Sequence, residues 1–512
     1  MRAPIAVSSL AIAISLSACQ QNAESEATGS EPASQSPIET RVVDATWNRA
    51  AEEARQRLTL RAREGQARNV ILFVADGMSI PTIAAARIYD GQTGGDTSGV
   101  ENLLTFEAFP NAALVRTYST DSQVPDSANT ATALMTGIKT RNGAISLAAD
   151  QGVEVCGTPE AAPLTLAEIA EARGMATGVV TTTRITHATP ATTYSHSVSR
   201  QWESDVDLPD NAVAAGCRDI AAQLLSFDEG DGIDVVMGGG RANFLPEGDG
   251  GRRGDGRNLL AEWEARGGAT VTDAAGFRSL DVAATEPVLG LFANSHLAFS
   301  ADRDDAEEPS LAEMTGFAID RLSAEEDGYF LLVEAGRVDH AHHATNAYRA
   351  LTDMQAFEAA IEAAIDRVDL DNTLILVTAD HGHTMTFSGY PARGTSILGL
   401  VRRAVSGGLD GETALTLDRT GRPYTTLSYA NGPNTRGQDD EALSDEEVQA
   451  PNYRQEATVA LPSQTHSGDD VALFATGARA HYFGGSMEQN TVFHLVAYAM
   501  GWTELPGDEA PN

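Results

Sequence analysis

Three apolar runs in this 512-residue chain each end in an acid. Val70-Ile-Leu-Phe-Val-Ala runs into Asp76, Tyr329-Phe-Leu-Leu-Val into Glu334, and Leu374-Ile-Leu-Val-Thr-Ala into Asp380. Short apolar runs without alternation are the pattern of strands buried on both faces, and such strands are parallel ones covered by helices. Ala176 to Thr182, Ile233 to Met237 and Val471 to Ala475 repeat the grammar, with helical spacing between several of them, as in Leu351, Met354, Phe357, Ile361, Ile365 and Val368. The pattern predicts an α/β fold, a mostly parallel central sheet flanked by helices. Ligands of such sheets sit beyond the carboxyl ends of the strands. Three acids gathered on that rim repel one another unless cations compensate. Taken singly, Asp76 fits a helix cap equally well.

Imidazoles accompany the acids. After Glu334 come Asp339, His340, His342 and His343, with Asp339 and His343 spaced i, i+4 on one face of a helical turn. Asp380 opens a second cluster, Asp380-His381-Gly382-His383, in which His383 is placed to support a ligand from behind. Five of the eleven histidines fall in these two segments, and His466 precedes the last core strand as a remote candidate. Carboxylate with imidazole is the donor set of zinc and related divalent cations.

A nucleophile and an anion clamp also stand out. Ser127 lies in Val124-Pro-Asp-Ser-Ala-Asn-Thr-Ala-Thr-Ala133, where small residues after Pro125 fit a helix whose amino end favours anions. A serine hydroxyl needs a base or a metal to become reactive, and simple capping by Asp126 or Ser127 is the competing reading. Arg200 follows His187-Ala-Thr189-Pro190 at the end of another predicted strand, and its guanidinium matches phosphate bidentately.

The termini and the stretch before His466 depart from this grammar. Arg2 and the apolar run Ile5 to Leu16 read as a secretory signal over residues 1–18, and Leu16-Ser-Ala-Cys19 resembles the lipobox of bacterial lipoproteins, which would lipidate Cys19. An exported protein follows, periplasmic or anchored in the outer membrane, touching membrane only through that lipid. Residues 19–43 read as a flexible tether. The core is expected over 44–383 and 464–504, with a loop-rich subdomain inserted over 384–463 and a tail at 505–512. Cys156 and Cys217 are an even remainder, which in an oxidising compartment favours one disulfide. A formal net charge of -37, with Lys139 the only lysine, argues against a nucleic-acid partner.

With these segments side by side, the chain resembles the alkaline phosphatases from about Trp47 to Trp502. The resemblance is carried by the Asp76 strand, Pro125-Asp126-Ser127, His187-Ala-Thr-Pro, Gly336-Arg-Val-Asp-His-Ala-His-His343, Thr378-Ala-Asp-His-Gly-His383 and Thr465-His466. The insertion, with Gly389-Tyr390 and Asn431-Gly432-Pro433, is similar to the crown-like region of animal-type members. The resemblance implies hydrolysis of phosphate monoesters through a phosphoserine on Ser127. It implies one zinc held by Asp339, His343 and His466, a second by Asp76, Ser127, Asp380 and His381, and a magnesium by Asp76, Thr189 and Glu334. Arg200 would bind phosphate, with His187, His340 and His383 in supporting positions and His342 without a role. It further implies a homodimer and a Cys156–Cys217 disulfide. The calcium site of animal-type members is in doubt, because Ala293 stands where their acid does, although Glu308 matches another of its ligands. Two rival readings remain. One is a phosphodiesterase or sulfatase on the same scaffold, and Ser127-Ala-Asn-Thr-Ala lacks the sulfatase context. The other is a lipid-anchored phosphate- or metal-binding protein without turnover.

Overall fold

The computed structural model describes residues 45–95, 98–406, 411–437 and 441–503. The signal, the tether with Cys19 and the 505–512 tail lie outside the described residues. Eight strands, β1 (Asn69–Val74), β2 (Asn111–Arg116), β3 (Ala176–Arg184), β4 (Val235–Gly239), β5 (Ala269–Val271), β6 (Val288–Leu291), β7 (Tyr329–Glu334) and β8 (Thr373–Thr378), join Val471–Gly477 and Gly485–Glu488 in one ten-stranded sheet. The order is Gly485–Glu488, β2, Val471–Gly477, β8, β1, β7, β3, β4, β6, β5.

The three acid-ending runs are the neighbours β8, β1 and β7. All of β7 and β8, and every residue of β1 except Asn69, are buried, so these strands belong in the middle of the sheet. Both pairings are parallel and in step: Val74 lies beside Glu334 on one side and Thr378 on the other. Asp76, Glu334 and Asp380 therefore leave the sheet at one edge. The predicted helical stripe is the helix Ala347–Ile365, in which Leu351, Met354, Phe357 and Ile361 are buried. Phe357 meets Phe73 of β1 edge-on, with ring centroids 5.9 Å apart.

Val471–Gly477 reads like its neighbours in the sequence yet runs antiparallel to both β8 and β2. The cause is the chain between. After β8, Gly382–His383 pairs antiparallel with His466–Ser467, so the chain comes back beside itself and re-enters the sheet reversed. The stretch 384–463 is thus the loop of a very long hairpin. It has small sheets of its own: Leu427–Gly432 pairs with Met385–Phe387 and Ala457–Ala460, and Arg402–Ala404 pairs with Thr413–Leu415. Four strands of the sheet, β2, β5, β6 and Gly485–Glu488, go beyond the apolar runs of the sequence; β2 alternates, with only Ala113 and Val115 buried.

By internal contacts the chain divides at Thr59. The first unit contributes the helix Ala45–Thr59, which buries no residue and carries i, i+3 and i, i+4 pairs between Arg55 and Glu52 and between Arg57 and Glu53. Among the described residues no helix is long and apolar enough to cross a membrane.

Candidate metal and phosphate site

The turn after β1 removes the capping reading of Asp76. Ser79 caps the helix Ile80–Thr93, its hydroxyl accepting from the Thr82 amide, which leaves the Asp76 carboxylate for other work. Gly77 between them has φ 80°, and a Cβ there would stand 2.4 Å from the His383 ring, so only glycine lets the turn close against that imidazole. Its amide donates to Asp380 Oδ1 at 3.0 Å, tying the ends of β1 and β8 together.

A similar division of labour frees Ser127. Asp126 caps the wholly buried helix Ser127–Thr136, accepting from the Asn129 amide at 3.1 Å. Ser127 is the first helical residue, its Oγ 3.2 Å from His381 Nε2 and 3.4 Å from Asp76 Oδ2. Arg200 reaches the same cleft. Its Nη2 donates to His187 Nε2 at 2.9 Å, Nη1 lies 3.4 Å from Asp126 Oδ2, and its main-chain amide donates to Gly143 O at 2.7 Å. The cleft encloses ≈ 350 Å³ between Ser127, Arg200, His340, His343 and His466, with hardly an apolar side chain on its walls.

Three groups of ligand-type side chains line the rim. Asp339 and His343 share one face of the helix Arg337–His343, and His466 approaches from the returning chain. His343 Nε2 is 3.2 Å from His466 Nε2 and 3.4 Å from Asp339 Oδ2, and His466 Nε2 is 3.3 Å from Asp339 Oδ1. Proximity alone groups Asp339 and His466 with His381 and His383 and leaves out His343. His383 has one nitrogen on Asp339 Oδ1 at 2.5 Å and the other on Gln464 Oε1, whereas the Nδ1 of His343 faces the main-chain carbonyl of Gln464. A second group joins Asp76, Asp380 and His381, with His381 Nε2 3.4 Å from Asp76 Oδ1 and 3.2 Å from Asp380 Oδ2. The third joins Asp76, Glu334 and His187, with Thr189 close by in the short helix that follows His187.

Electrostatics shows what this crowding costs. Burial, and then the carboxylates of Asp380, Asp339 and Glu334, hold the Asp76 carboxyl well above its usual range. Burial likewise pushes Glu334 up to about 7 and Asp380 up to about 6. Asp339 goes the other way: burial opposes its charge, but His343 and His383 beside it hold it well below the usual range. Burial lowers His187, His340 and His381, and neutral imidazole is the ligand form.

Several further groups support the rim. Thr181 and Thr183 both give their hydroxyls to Glu334 Oε2, the latter at 2.9 Å, which leaves Oε1 free. The polar run Thr181-Thr-Thr183 ending an apolar strand was their signal. His342, left without a role, is buried between Thr82 Oγ1 at 3.1 Å and the Tyr429 hydroxyl at 2.8 Å, joining the metal-side helix to the insertion. His340 takes a hydrogen bond from Arg337 Nη1 at 2.9 Å and packs against His296. Cys156 and Cys217 form a disulfide packed near Trp202. Glu308 accepts from the Ala298 amide at 2.9 Å.

Known proteins are similar to this chain over most of its length. The alkaline phosphatase family model matches residues 67–502. The membrane-bound alkaline phosphatase of Bombyx mori is 40% identical over 481 residues, spanning 88% of this chain and 84% of that protein. The tissue-nonspecific isozyme of Gallus gallus is 38% identical over 474 residues, 88% of each chain. Among solved structures, the Thermus thermophilus alkaline phosphatase superposes with a TM-score of 0.63 at 27% identity, covering 86% of this chain and 93% of that one. A matching family model over most of the chain and relatives of this similarity give the class: the chain is a phosphatase and belongs to the alkaline phosphatase family.

Proposed function

We propose that this phosphatase hydrolyses phosphate monoesters through a phosphoserine on Ser127. Asp339, His343 and His466 would hold one zinc, Asp76, Ser127, Asp380 and His381 a second, and Asp76, Thr189 and Glu334 a magnesium. One observation carries the magnesium assignment, and the zinc assignments rest on the resemblance and on the grouping of their ligands. Asp76 Oδ1, Thr189 Oγ1 and Glu334 Oε1 are buried with no hydrogen-bond partner of normal geometry, the Thr189 hydroxyl facing the Glu334 carboxylate. An unpaired buried polar atom costs about 1–3 kcal/mol. Three such oxygens, all named by the resemblance as ligands of one ion, are the donor set a hard cation takes.

When bound, the ions neutralise charge on the phosphoryl group and lower the pKa of water. The protein's own residues account for the remaining steps. Arg200 binds two phosphoryl oxygens through its guanidinium, and Asp126 and His187 hold that guanidinium in place. Ser127 Oγ, at the amino end of its helix, attacks phosphorus in line with the ester oxygen. The new bond is Oγ–P, the bond to the ester oxygen breaks, and the alcohol leaves carrying a proton. Water then attacks the same phosphorus, the Oγ–P bond breaks, and inorganic phosphate departs with the hydroxyl of Ser127 restored. A cleft walled by polar groups makes few contacts with the leaving group, which suits a range of alcohols.

Export under the lipobox-like signal, a lipid anchor at Cys19 and a homodimer belong to the same reading and rest on the sequence. The test is metal analysis of the purified protein together with rates on an aryl phosphate, a phosphodiester and a sulfate ester. The expected result is bound zinc and magnesium with monoester turnover dominant. Faster diester or sulfate turnover would transfer the site to the neighbouring chemistry, and metal binding without any turnover would leave a binding protein.

A further inference from the structure

His343 and His383 meet at one residue, Gln464. It is buried, 1% exposed, two positions before His466. Its main-chain carbonyl accepts from His343 Nδ1 at 2.6 Å, and its main-chain amide donates to the His343 carbonyl at 3.0 Å. Its side-chain oxygen faces His383 Nδ1, while the side-chain nitrogen donates to Thr384 Oγ1 at 2.6 Å and to the Thr465 carbonyl. A carbonyl only accepts, so the Thr465 contact requires nitrogen on that side and turns the oxygen toward His383.

We propose that Gln464 is a positioning residue for the first zinc site, an inference that rests on the metal assignment above. A ligating imidazole keeps its orientation through the hydrogen bond of its other nitrogen, and a ligating carboxylate through its own partner. Gln464 governs both here. It engages His343 directly, so that Nε2 turns to Asp339 and His466, and it engages His383, whose Nε2 rests on Asp339 Oδ1 at 2.5 Å. Two of the three ligands are therefore set by one side chain and its own backbone. The third, His466, is held by the Pro125 carbonyl at 2.9 Å. Gln464 makes no hydrogen bond to Asp76, Asp380 or His381, so its influence is confined to one site.

The test is zinc competition with a chelator on the full-length protein, comparing the wild type with Gln464→Leu, Gln464→Glu and Thr384→Val. The binding step missing from His343→Ala identifies the first site. Gln464→Leu keeps the main-chain bonds to His343 and loses only the side-chain contact to His383, so it is expected to weaken that step by about 10-fold, the lower end of the cost of losing a ligand's partner, and to leave the second step within about twofold. Gln464→Glu keeps an oxygen opposite His383 but sets its other oxygen against the Thr465 carbonyl, and recovers only part of the loss. Thr384→Val removes only the brace on the amide and weakens the first step by a few-fold, which keeps the inference testable if the leucine variant fails to fold. Unchanged first-site affinity in these variants, or equal weakening of both steps, would overturn it. A wild type that binds no zinc would instead remove the metal assignment itself.

Discussion

The Nε2 atoms of His343 and His466 stand 3.2 Å apart, while the Nδ1 atom of each ring faces a main-chain carbonyl, Gln464 for the one and Pro125 for the other. Carbonyls only accept, so each Nδ1 donates and the two Nε2 atoms are the ones turned to each other beside the Asp339 carboxylate. A cation between them relieves that contact. Chelation is accordingly expected to abolish turnover and to lower the melting temperature by several degrees, both restored by zinc and magnesium. An ion present at 100 times its dissociation constant contributes about 2.7 kcal/mol. Calorimetry before and after exhaustive chelation checks this, and an unchanged melting point in verified metal-free protein would contradict it.

Ser127 is not needed as a helix cap, since Asp126 performs that task. Its hydroxyl can therefore be removed at small structural cost. Ser127→Ala should keep the wild-type melting temperature to within a few degrees and keep its zinc, yet lose roughly 10³-fold or more in turnover of an aryl phosphate. Turnover within tenfold of wild type would reassign the nucleophile.

Arg200 donates to His187 and lies near Asp126, so its guanidinium is held before substrate arrives. Loss of a charge-assisted bidentate contact costs more than a neutral hydrogen bond. Arg200→Ala should weaken inhibition by inorganic phosphate by roughly 10- to 100-fold, at about 1.5–3 kcal/mol for a bond to a charged group. An unaltered inhibition constant would show that another cation binds phosphate.

The Cys156–Cys217 disulfide closes a segment of sequence separation 61 that contains Arg200. Chain entropy alone values a closure of that length at about 4 kcal/mol. Cys156→Ser is expected to lower the melting temperature clearly and to raise the KM for monoesters more than it lowers kcat, because the loosened segment carries the phosphate clamp and not the nucleophile. Paired thermal and kinetic measurements check both parts.

Much of the rim was legible because its parts are local. The acids end buried strands, so a run of apolar residues announces where each carboxylate will lie, and β1, β7 and β8 are neighbours in register as that grammar requires. The reversal of Val471–Gly477 was not legible: a strand buried on both faces carries no mark of direction, and the deciding contact is the His466–His383 pairing formed across the whole insertion. Gln464, Thr181 and Thr183 were missed for a related reason. Their partners, His383 and Glu334, are 81 and about 150 residues away, and neither amide nor hydroxyl advertises a metal by its own chemistry.

Glu171 offers a test of alkaline behaviour away from the rim. It is 2% exposed at the end of the helix Leu166–Glu171, where the Thr177 hydroxyl donates to one oxygen and the Asp231 amide faces the carboxyl. Burial, reinforced by the Asp234 and Asp231 carboxylates, pushes it up to about 8 from an ordinary 4.5, while the Thr177 hydroxyl opposes the rise. The folded protein thus holds this proton more tightly than the unfolded chain, and stability falls with pH wherever that is so. The contribution is complete below about pH 4.5 and is lost as pH rises through about 8. Each tenfold in proton affinity is worth about 1.4 kcal/mol. Glu171→Gln cannot ionise and keeps an oxygen and a group to face Thr177, so it should match the wild type near pH 5 and exceed it by about 1 kcal/mol or more near pH 9. Melting curves of both proteins at fixed metal loading across that range measure the difference, and a gap that does not widen toward alkaline pH would mean that Glu171 is already charged in the fold.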